Sequence, residues 1–600
     1  MRARDTLLLA ICFGLLTGLG EVLLIAHHRF LLGKTTLVSQ HITWMAPLGV
    51  TAIFLAVGVV LLAASLLHAP AAQLPAGSFL FALLGTLSIT FLLPSGIHPL
   101  AAGVLATGVG FQAYRVSKRD PGRLRRKLAT ATVTTLAAIL ALNATVLGSR
   151  SLSARRAYAD PATSAEGPNV LLIILDTVRA RSLSLYGRER ATSPRLDSFA
   201  ERGLVFERAI APSPWTLPSH ASIFTGRYPH RLSVDWEKPL DAEHETLAEA
   251  LSRAGYATGG FAGNLFYASR VHGLSRGFEH YDDHPVSPGQ IALSTALGRA
   301  AARSSLLRRV FGHEDLLNRK SAADITGAFL RWVDVQSDQP FFAFLNLFDA
   351  HEPYLPPAPF DTLFGPTGPR SLERQGGLRR DDRASRGRKW ETTPEQASLD
   401  LAAYEASITS IDAELGRLFR ELEARALLEG TLVIVTADHG EQQGEHGLYG
   451  HLNSLYEPLL RVPLVIVGPG VPRGRTDRVT SLTDIAATVL DLTGVEAQIP
   501  GIPIAGNWMD QNDSVPALSS LRTGLVLQEW YPVGRGQEMY SLWSGDHHYI
   551  CNGDGSDELY DTRRDPEEER SLATVGDSEP VLSWFRAQLG RALERPPPCP

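Results

Sequence analysis

Apolar residues are unevenly spread along the 600-residue chain: uncharged runs crowd the first quarter, and charges fill the rest. Runs of about 20 apolar residues, enough to cross a bilayer as a helix, fall near 6–27, 46–67, 78–95, 98–114 and 128–148, which predicts about five spans over residues 1–150. The first run lacks a small-residue cleavage site and is followed by further runs, so it reads as an anchor rather than a removed signal peptide. Residues 151–168 are small and polar without a sustained period, as in a linker. From Asn169 the pattern changes. NVLLIILD is a continuous apolar run of strand length, and TLVIVTAD at 431–438 repeats it, as buried strands of a parallel sheet do. Helical periods lie between them, around 194–203, 245–254 and 397–425, and strands alternating with helices predict a doubly wound α/β domain over 169–495. The stretches 284–320 and 361–396 are rich in Arg, Gly, Ser and Pro, fit no clean period, and read as surface excursions with partial helix. Beyond residue 496 the strand-like pieces GLVLQEW and HHYICNG precede ELYDTRRDPEEE and an amphipathic period near 579–593, predicting a small C-terminal α+β subdomain over 496–600.

Charge adds an orientation. Lys and Arg gather at Arg2 and Arg4 and again at Arg115, Lys118, Arg119, Arg123, Arg125, Arg126 and Lys127, which the positive-inside rule places in the cytoplasm. An odd number of spans then carries everything past residue 150 to the periplasm or cell exterior, as in a multi-pass protein of an inner or plasma membrane. Glu21, near the outer end of the first run, reads as interfacially solvated and is given no role. A net charge of -6 and a single short basic run exclude a nucleic-acid partner. Three cysteines exclude a disulfide framework, and a single Cys551–Cys599 bridge and two free thiols both stay open.

Chemistry concentrates at the ends of the two apolar runs. Asp176 closes the first, and Asp438 with His439 closes the second; in open α/β sheets ligands collect at the carboxyl ends of strands. Taken singly, Asp176 suits a helix N-cap and the Asp-His pair a turn. Taken together, the carboxylates are costly to bury without a counter-charge, which a divalent cation with oxygen and imidazole ligands supplies. In SPWTLPSHASIFTGRYPHR at 213–231, Thr216, Pro218 and Gly226 mark the start and stop of a helix. Thr216 reads either as a capping residue or as a hydroxyl held in the positive potential of a helix N-terminus, where an anionic ester and a developing alkoxide are both favoured.

The ordered blocks NVLLIILDTVRARSLSLYG, TSPRLDSFAERGLVFERAIA, TLPSHASIFTGRYPHR, TLAEALSRAGYATGGFAGN, TLVIVTADHGEQQGEHGLYGH with LYEPLLRVPLVI, and SLTDIAATVLDLTG resemble the sulfatase family of the alkaline phosphatase superfamily. The resemblance covers Asn169 to about Gly494, with a weaker echo at 558–568. It implies an alkaline-phosphatase-like α/β fold and one divalent metal, zinc or manganese before magnesium or calcium, held by Asp176, Thr216, Asp438 and His439. It also implies Thr216 as nucleophile, and His351 and His451 as groups that hold ester oxygens or protonate the leaving group. Four positions depart from the sulfatase pattern. Thr216 stands where cysteine or serine is matured to formylglycine, which threonine cannot become; His220 replaces the motif's arginine; Thr177 replaces a second aspartate; and Arg181 stands where many relatives carry aspartate. Threonine nucleophiles occur in relatives that move phosphate groups, such as lipoteichoic acid synthase and the lipid A phosphoethanolamine transferases. The expected activity is therefore transfer or hydrolysis of phosphodiester groups of an envelope lipid or polymer through a covalent Thr216 intermediate. Sulfuric or phosphonate ester hydrolysis is the alternative, and an inactive membrane protein that binds an anionic lipid or glycan is the alternative of another class. The implied partners are the lipid bilayer and an anionic phosphate or sulfate ester.

Overall fold

The computed structural model describes residues 3–32, 38–67, 74–93, 97–157, 167–235, 238–303, 319–336, 339–365, 393–509, 515–522 and 538–599. The chain divides into two compact units, Met1–Asp160 with His284–Leu317, and Pro161–Asp283 with Asn318–Pro600.

In the first unit the apolar runs become five helices: α1 (Ala3–Phe30), α2 (Ile42–Leu67), α3 (Leu74–Thr90), α4 (Pro99–Arg119) and α5 (Pro121–Ala157). Three of them, over Arg4–Arg29, Ile42–Ala64 and Pro121–Val146, are long and apolar enough to cross a membrane, so the expected five spans reduce to three that meet that measure. The 17 residues of α3 extend only about 26 Å, short of a ~30 Å hydrocarbon core, and α4 is diluted by glycine, Thr107 and Gln112 before its basic last turn. Small residues let α1 and α2 approach: a Cβ on Gly14 would lie 2.6 Å from Thr51 Cα, and one on Gly18, four residues on, 2.4 Å from Pro47 Cα. At one end of α1, Asp5 pairs with Arg125 at 2.7 Å. About 24 Å along, nine residues before α1 ends at Phe30, Glu21 is wholly buried. Its carboxylate accepts hydrogen bonds from the Ser88 hydroxyl and from the Ala296 N–H at 3.0 Å, which opens the helix Ala296–Arg303. The expected solvation of Glu21 is thus replaced by a protein donor at a helix start, where N–H groups lack partners of their own. The excursion 284–320 is likewise no free surface loop over its described part: Ser294 Oγ meets Met45 Sδ at 3.5 Å, and a Cβ on Gly49 would strike Ile291 O. Helix α5 runs seven residues, 151–157, into the stretch read as linker, and 158–166 lie outside the described residues.

The second unit is built on a largely parallel nine-stranded sheet. Its strands are β1 (Asn169–Leu175), β2 (Leu204–Ile210), β3 (Ala257–Ala262), β4 (His280–Asp282), β5 (Phe341–Leu347) and β6 (Thr431–Thr436). After a small hairpin, β7 (Gln442–Gln443) and β8 (Tyr449–Gly450), come β9 (Arg461–Val462), β10 (Leu464–Val467) and β11 (Gly474–Ser481). The order is β11-β2-β10-β6-β1-β5-β3-β4, with β9 on β2 and β10 antiparallel to its neighbours. Central β1 lies between β5 and β6 in parallel register, Ile173 opposite Leu345 and Val435, and its apolar run is buried from Val170 to Leu175. The helix Pro394–Ala424 buries Tyr404, Ile408, Ile411, Leu415, Leu418 and Leu422 at helical spacing, and Phe419 stacks on Phe199.

The tail forms a second, antiparallel sheet of β12 (Ala517–Leu521), β13 (Met539–Ser544), β14 (His547–Cys551) and β15 (Asp557–Asp561). Leu582, Phe585, Leu589 and Leu593 of the helix Glu579–Leu593 pack with Leu542, Tyr549 and Leu559 of that sheet. Of the two strand-like pieces expected here, HHYICNG holds β14, and GLVLQEW lies outside the described residues. The whole is an α/β fold with N-terminal apolar helices and a small C-terminal β subdomain.

Cys551 and Cys599, left open by spacing alone, form a disulfide, while Cys12 is a buried free thiol. Alkylation of the denatured, unreduced protein is expected to label Cys12 alone, and all three cysteines after reduction. With the bridged positions 48 apart in sequence, Cys551→Ser is expected to lower the unfolding free energy by up to about 4 kcal/mol in denaturant titrations.

Candidate active site

β1 and β6 run side by side and end together, so the residues that follow them share one edge of the sheet. Asp176, Asp438 and His439 meet there, each wholly buried, with one ligand atom apiece all within 4.8 Å of one another. Burial, together with the neighbouring Asp438 charge, pushes the Asp176 carboxyl up to about 7. Burial also takes Asp438 up to about 7, against the N–H groups of Thr177 and His439 and the Thr216 hydroxyl, which hold it down. His439 is lowered to about 4 by burial and by His451, which keeps its imidazole neutral. Its Nδ1 lies 2.9 Å from Gly440 O; donation to that carbonyl places the free lone pair on Nε2.

Thr216 enters from the helix Thr216–Thr225, which the left-handed Gly226, at φ 65°, brings to an end. A Cβ at Gly226 would sit 1.9 Å from Pro500 O. The N-cap is Trp215, with no side-chain cap bond, so the capping role open to Thr216 is not the one it takes. Its hydroxyl lies 3.5 Å from His439 Nε2 and 3.4 Å from Asn264 Nδ2, at a helix N-terminus whose potential favours anions.

Two asparagines without a sequence-level role complete the cluster. Asn264 Nδ2 and Asn346 Nδ2 donate to Asp176 Oδ2 at 3.0 and 2.9 Å. The signal was an amide at or just past the end of an otherwise apolar strand, β3 and β5 respectively. Ser219 Oγ also donates, to Asp438 O at 2.6 Å. On the other side three imidazoles run in series: the His451 ring is 4.8 Å from that of His439 and 5.0 Å from that of His351. His451 Nδ1 is 2.9 Å from Glu441 Oε1, and His351 Nδ1 is 2.7 Å from Glu352 O.

The departing positions lie as follows. Thr177 is left-handed at φ 63°; its hydroxyl donates back to Asp176 O and its N–H to Asp438 Oδ1. His220 is wholly buried, its Nδ1 2.9 Å from Thr216 O, and burial lowers it to about 3, so no cation replaces the arginine. Arg181 is bound to Glu457 at 3.1 Å and Glu567 at 2.8 Å.

Residues 168–495 match the sulfatase family, and the chain belongs to it. It is similar to human arylsulfatase K, 27% identical over 68% of this chain and 80% of that protein, and to the choline-sulfatase of Rhizobium meliloti, 25% identical over 68% and 82%. Among solved structures it resembles the phosphonate monoester hydrolases of Agrobacterium radiobacter (22% identical, 71% and 95% covered, TM-score 0.54) and Silicibacter pomeroyi (24%, 72% and 96%, 0.56). The chain is an enzyme of the hydrolytic type that defines this family.

Members of the family bind a divalent metal ion, and the donor atoms here fit one. Asp176 Oδ1 and Asp438 Oδ2 are fully buried without hydrogen-bond partners, a state that costs more than the ~1–3 kcal/mol of a neutral orphan unless a cation joins them. Asp438→Ala is expected to abolish stoichiometric metal in the purified protein, measured by elemental analysis. Asn346→Ala, which removes one of the two amide donors from Asp176 Oδ2, is expected to weaken metal affinity about 10–100-fold. Full occupancy in the Asp438 variant would place the metal elsewhere.

Proposed function

We propose that the chain cleaves or transfers a phosphate ester, most simply a phosphodiester of an envelope lipid or polymer, with Thr216 as the nucleophile. The observation that carries this reading is a threonine hydroxyl, free of capping duty, set 3.5 Å from His439 Nε2 and beside the Asp176–Asp438 pair. The Thr216 hydroxyl gives up its proton to the imidazole of His451 or His351 and its Oγ forms a bond to phosphorus while the bond to the leaving oxygen breaks; that oxygen takes the proton from the imidazole. A hydroxyl or water then attacks the phosphorylated Thr216, giving its proton to the same imidazole, which passes it to Thr216 Oγ as the bond from Oγ to phosphorus breaks. Asp176, Thr216, Asp438 and His439 would hold a divalent cation, which would supply charge neutralisation at the hydroxyl and the ester oxygens; the mixed oxygen and imidazole donors suit zinc or manganese.

Sulfuric ester hydrolysis is the second reading, favoured by the sulfatases among the relatives. Threonine cannot mature to formylglycine, and neutral His220 leaves no cation in the arginine's place; both weigh toward phosphate. The complete set of Asp176, Thr216, Asp438 and His439 weighs against a protein that only binds.

Thr216→Ala is expected to keep its fold while losing turnover of phosphate diesters by about 10⁴-fold or more. Mass spectrometry of the wild-type peptide is expected to show threonine or its phosphate ester and no aldehyde. An active alanine variant, or faster turnover of aryl sulfates than of phosphate diesters, would reject the phosphate reading.

The orientation proposed is cytoplasmic for the basic cluster and extracytoplasmic for residues 169–600, which makes the chain a membrane-anchored enzyme of the cell envelope. The odd count supports it whether three or five helices cross, because α3 and α4 form a pair that returns to its starting side. A reporter that works only after export is expected to be active when fused after residue 160. Activity of a cytoplasmic reporter there would reverse the topology.

A further inference from the structure

The membrane unit carries a cavity of about 370 Å³, lined by Phe13, Ala82, Val109, Ala113, Val116 and Leu124, that nothing in the proposed reaction uses. Its position along the helices is set by the chain. Ala82 and Val109 lie at the middle of α3 and α4, Val116 in the last turn of α4 and Leu124 in the first turn of α5. The cavity therefore runs from the middle of these helices to the end where α4 meets α5, the end at which Asp5 pairs with Arg125. Its lining is almost wholly apolar, with Ser78 and Gln112 the exceptions.

The same end carries a dense run of Lys and Arg. Arg115, Lys118, Arg119, Arg123, Arg126 and Lys127 are all exposed, and Arg125 alone of this cluster is in an ion pair among the described residues. Asp120 is the one acid within it, and its carboxylate accepts the Arg123 N–H. An apolar groove among membrane helices has no preference among lipid tails, since tails are as apolar as the groove. Cations at its mouth supply the preference, because a phosphate beside several Lys and Arg side chains is held more firmly than a zwitterion. A soluble anion would have no use for the groove, and an apolar helix of a partner protein none for the cations. Their coincidence fits one amphiphile.

We propose that this cavity binds an anionic phospholipid, one acyl chain lying against Ala82, Val109 and Ala113 and the headgroup phosphate among Arg119, Arg123 and Arg126. Its place is remote from Asp176 and Thr216 in the chain and independent of the reaction assigned to them. Only the naming of the leaflet, cytoplasmic, depends on the orientation proposed above.

The test uses the full chain, purified with its membrane helices and reconstituted in nanodiscs of phosphatidylglycerol and phosphatidylcholine with identical acyl chains. Native mass spectrometry after release is expected to show phosphatidylglycerol retained over phosphatidylcholine by at least about threefold, and the preference to fall as salt rises. Two variants separate the parts of the site. Ala113→Trp, which fills the groove, and the triple Arg119→Gln, Arg123→Gln, Arg126→Gln are each expected to remove the preference while metal content stays that of the wild type. Where Ala113→Trp fails to give a monodisperse protein, Val116→Glu, at an exposed position by the mouth, serves instead. Equal retention of the two lipids by the wild type overturns the proposal. So does a preference lost in the arginine variant but kept with the groove filled, which would reduce it to surface charge, and so does a protein rather than a lipid held at this end.

Discussion

Two carboxylates removed from water within reach of each other are the constraint around which the soluble unit is arranged. Asp176 and Asp438 follow neighbouring strands, and each is pushed up to about 7, chiefly by burial. The fold spends two asparagine amides on one oxygen of Asp176 and two backbone N–H groups on one oxygen of Asp438. It leaves the other oxygen of each bare. A site built only for stability would satisfy all four or use apolar residues. Satisfying one oxygen of each fixes the direction of the other, which is the arrangement a shared cation requires.

The departures from the sulfatase pattern make sense as a set. Thr177 removes a negative charge where a second aspartate would stand, and neutral His220 removes a positive one where the arginine would stand. The two losses balance. Thr177 keeps a structural task, its carbonyl accepting from the Tyr404 hydroxyl at 2.8 Å and its N–H serving Asp438. His220 holds the helix start through Thr216 O, with aromatic rings of Phe224 and Phe344 around it. Arg181 reaches across to Glu567 and so ties the loop after β1 to the C-terminal region.

What was legible in the chain was what local pattern encodes. The runs that became β1 and β6, the period that became the helix Pro394–Ala424 and the glycine that stops the helix after Thr216 all declare themselves within a few residues. Thr216 as N-cap was off by one position, the ordinary uncertainty of a terminus, yet that residue decides whether the hydroxyl is spent on a cap. Asn264 and Asn346 were invisible because a single amide beside an apolar strand has no local meaning; their function exists only through Asp176, 88 and 170 residues away. Glu21 was misjudged for the same reason, its partner Ala296 lying 275 residues on. The disulfide could be named only as one of two options until the fold brought its cysteines together.

That distant partner also shapes the first unit. The segment 284–303 lies between β4 and the helix Ala322–Val333 in the chain, yet it groups with the helices of residues 1–160. Its Ala296 N–H meets Glu21 about 24 Å along α1 from Asp5, which in turn meets Arg125 among the exposed basic residues. A buried carboxylate at one level of α1 and an ion pair at the other thus tie segments far apart in sequence to the same helix.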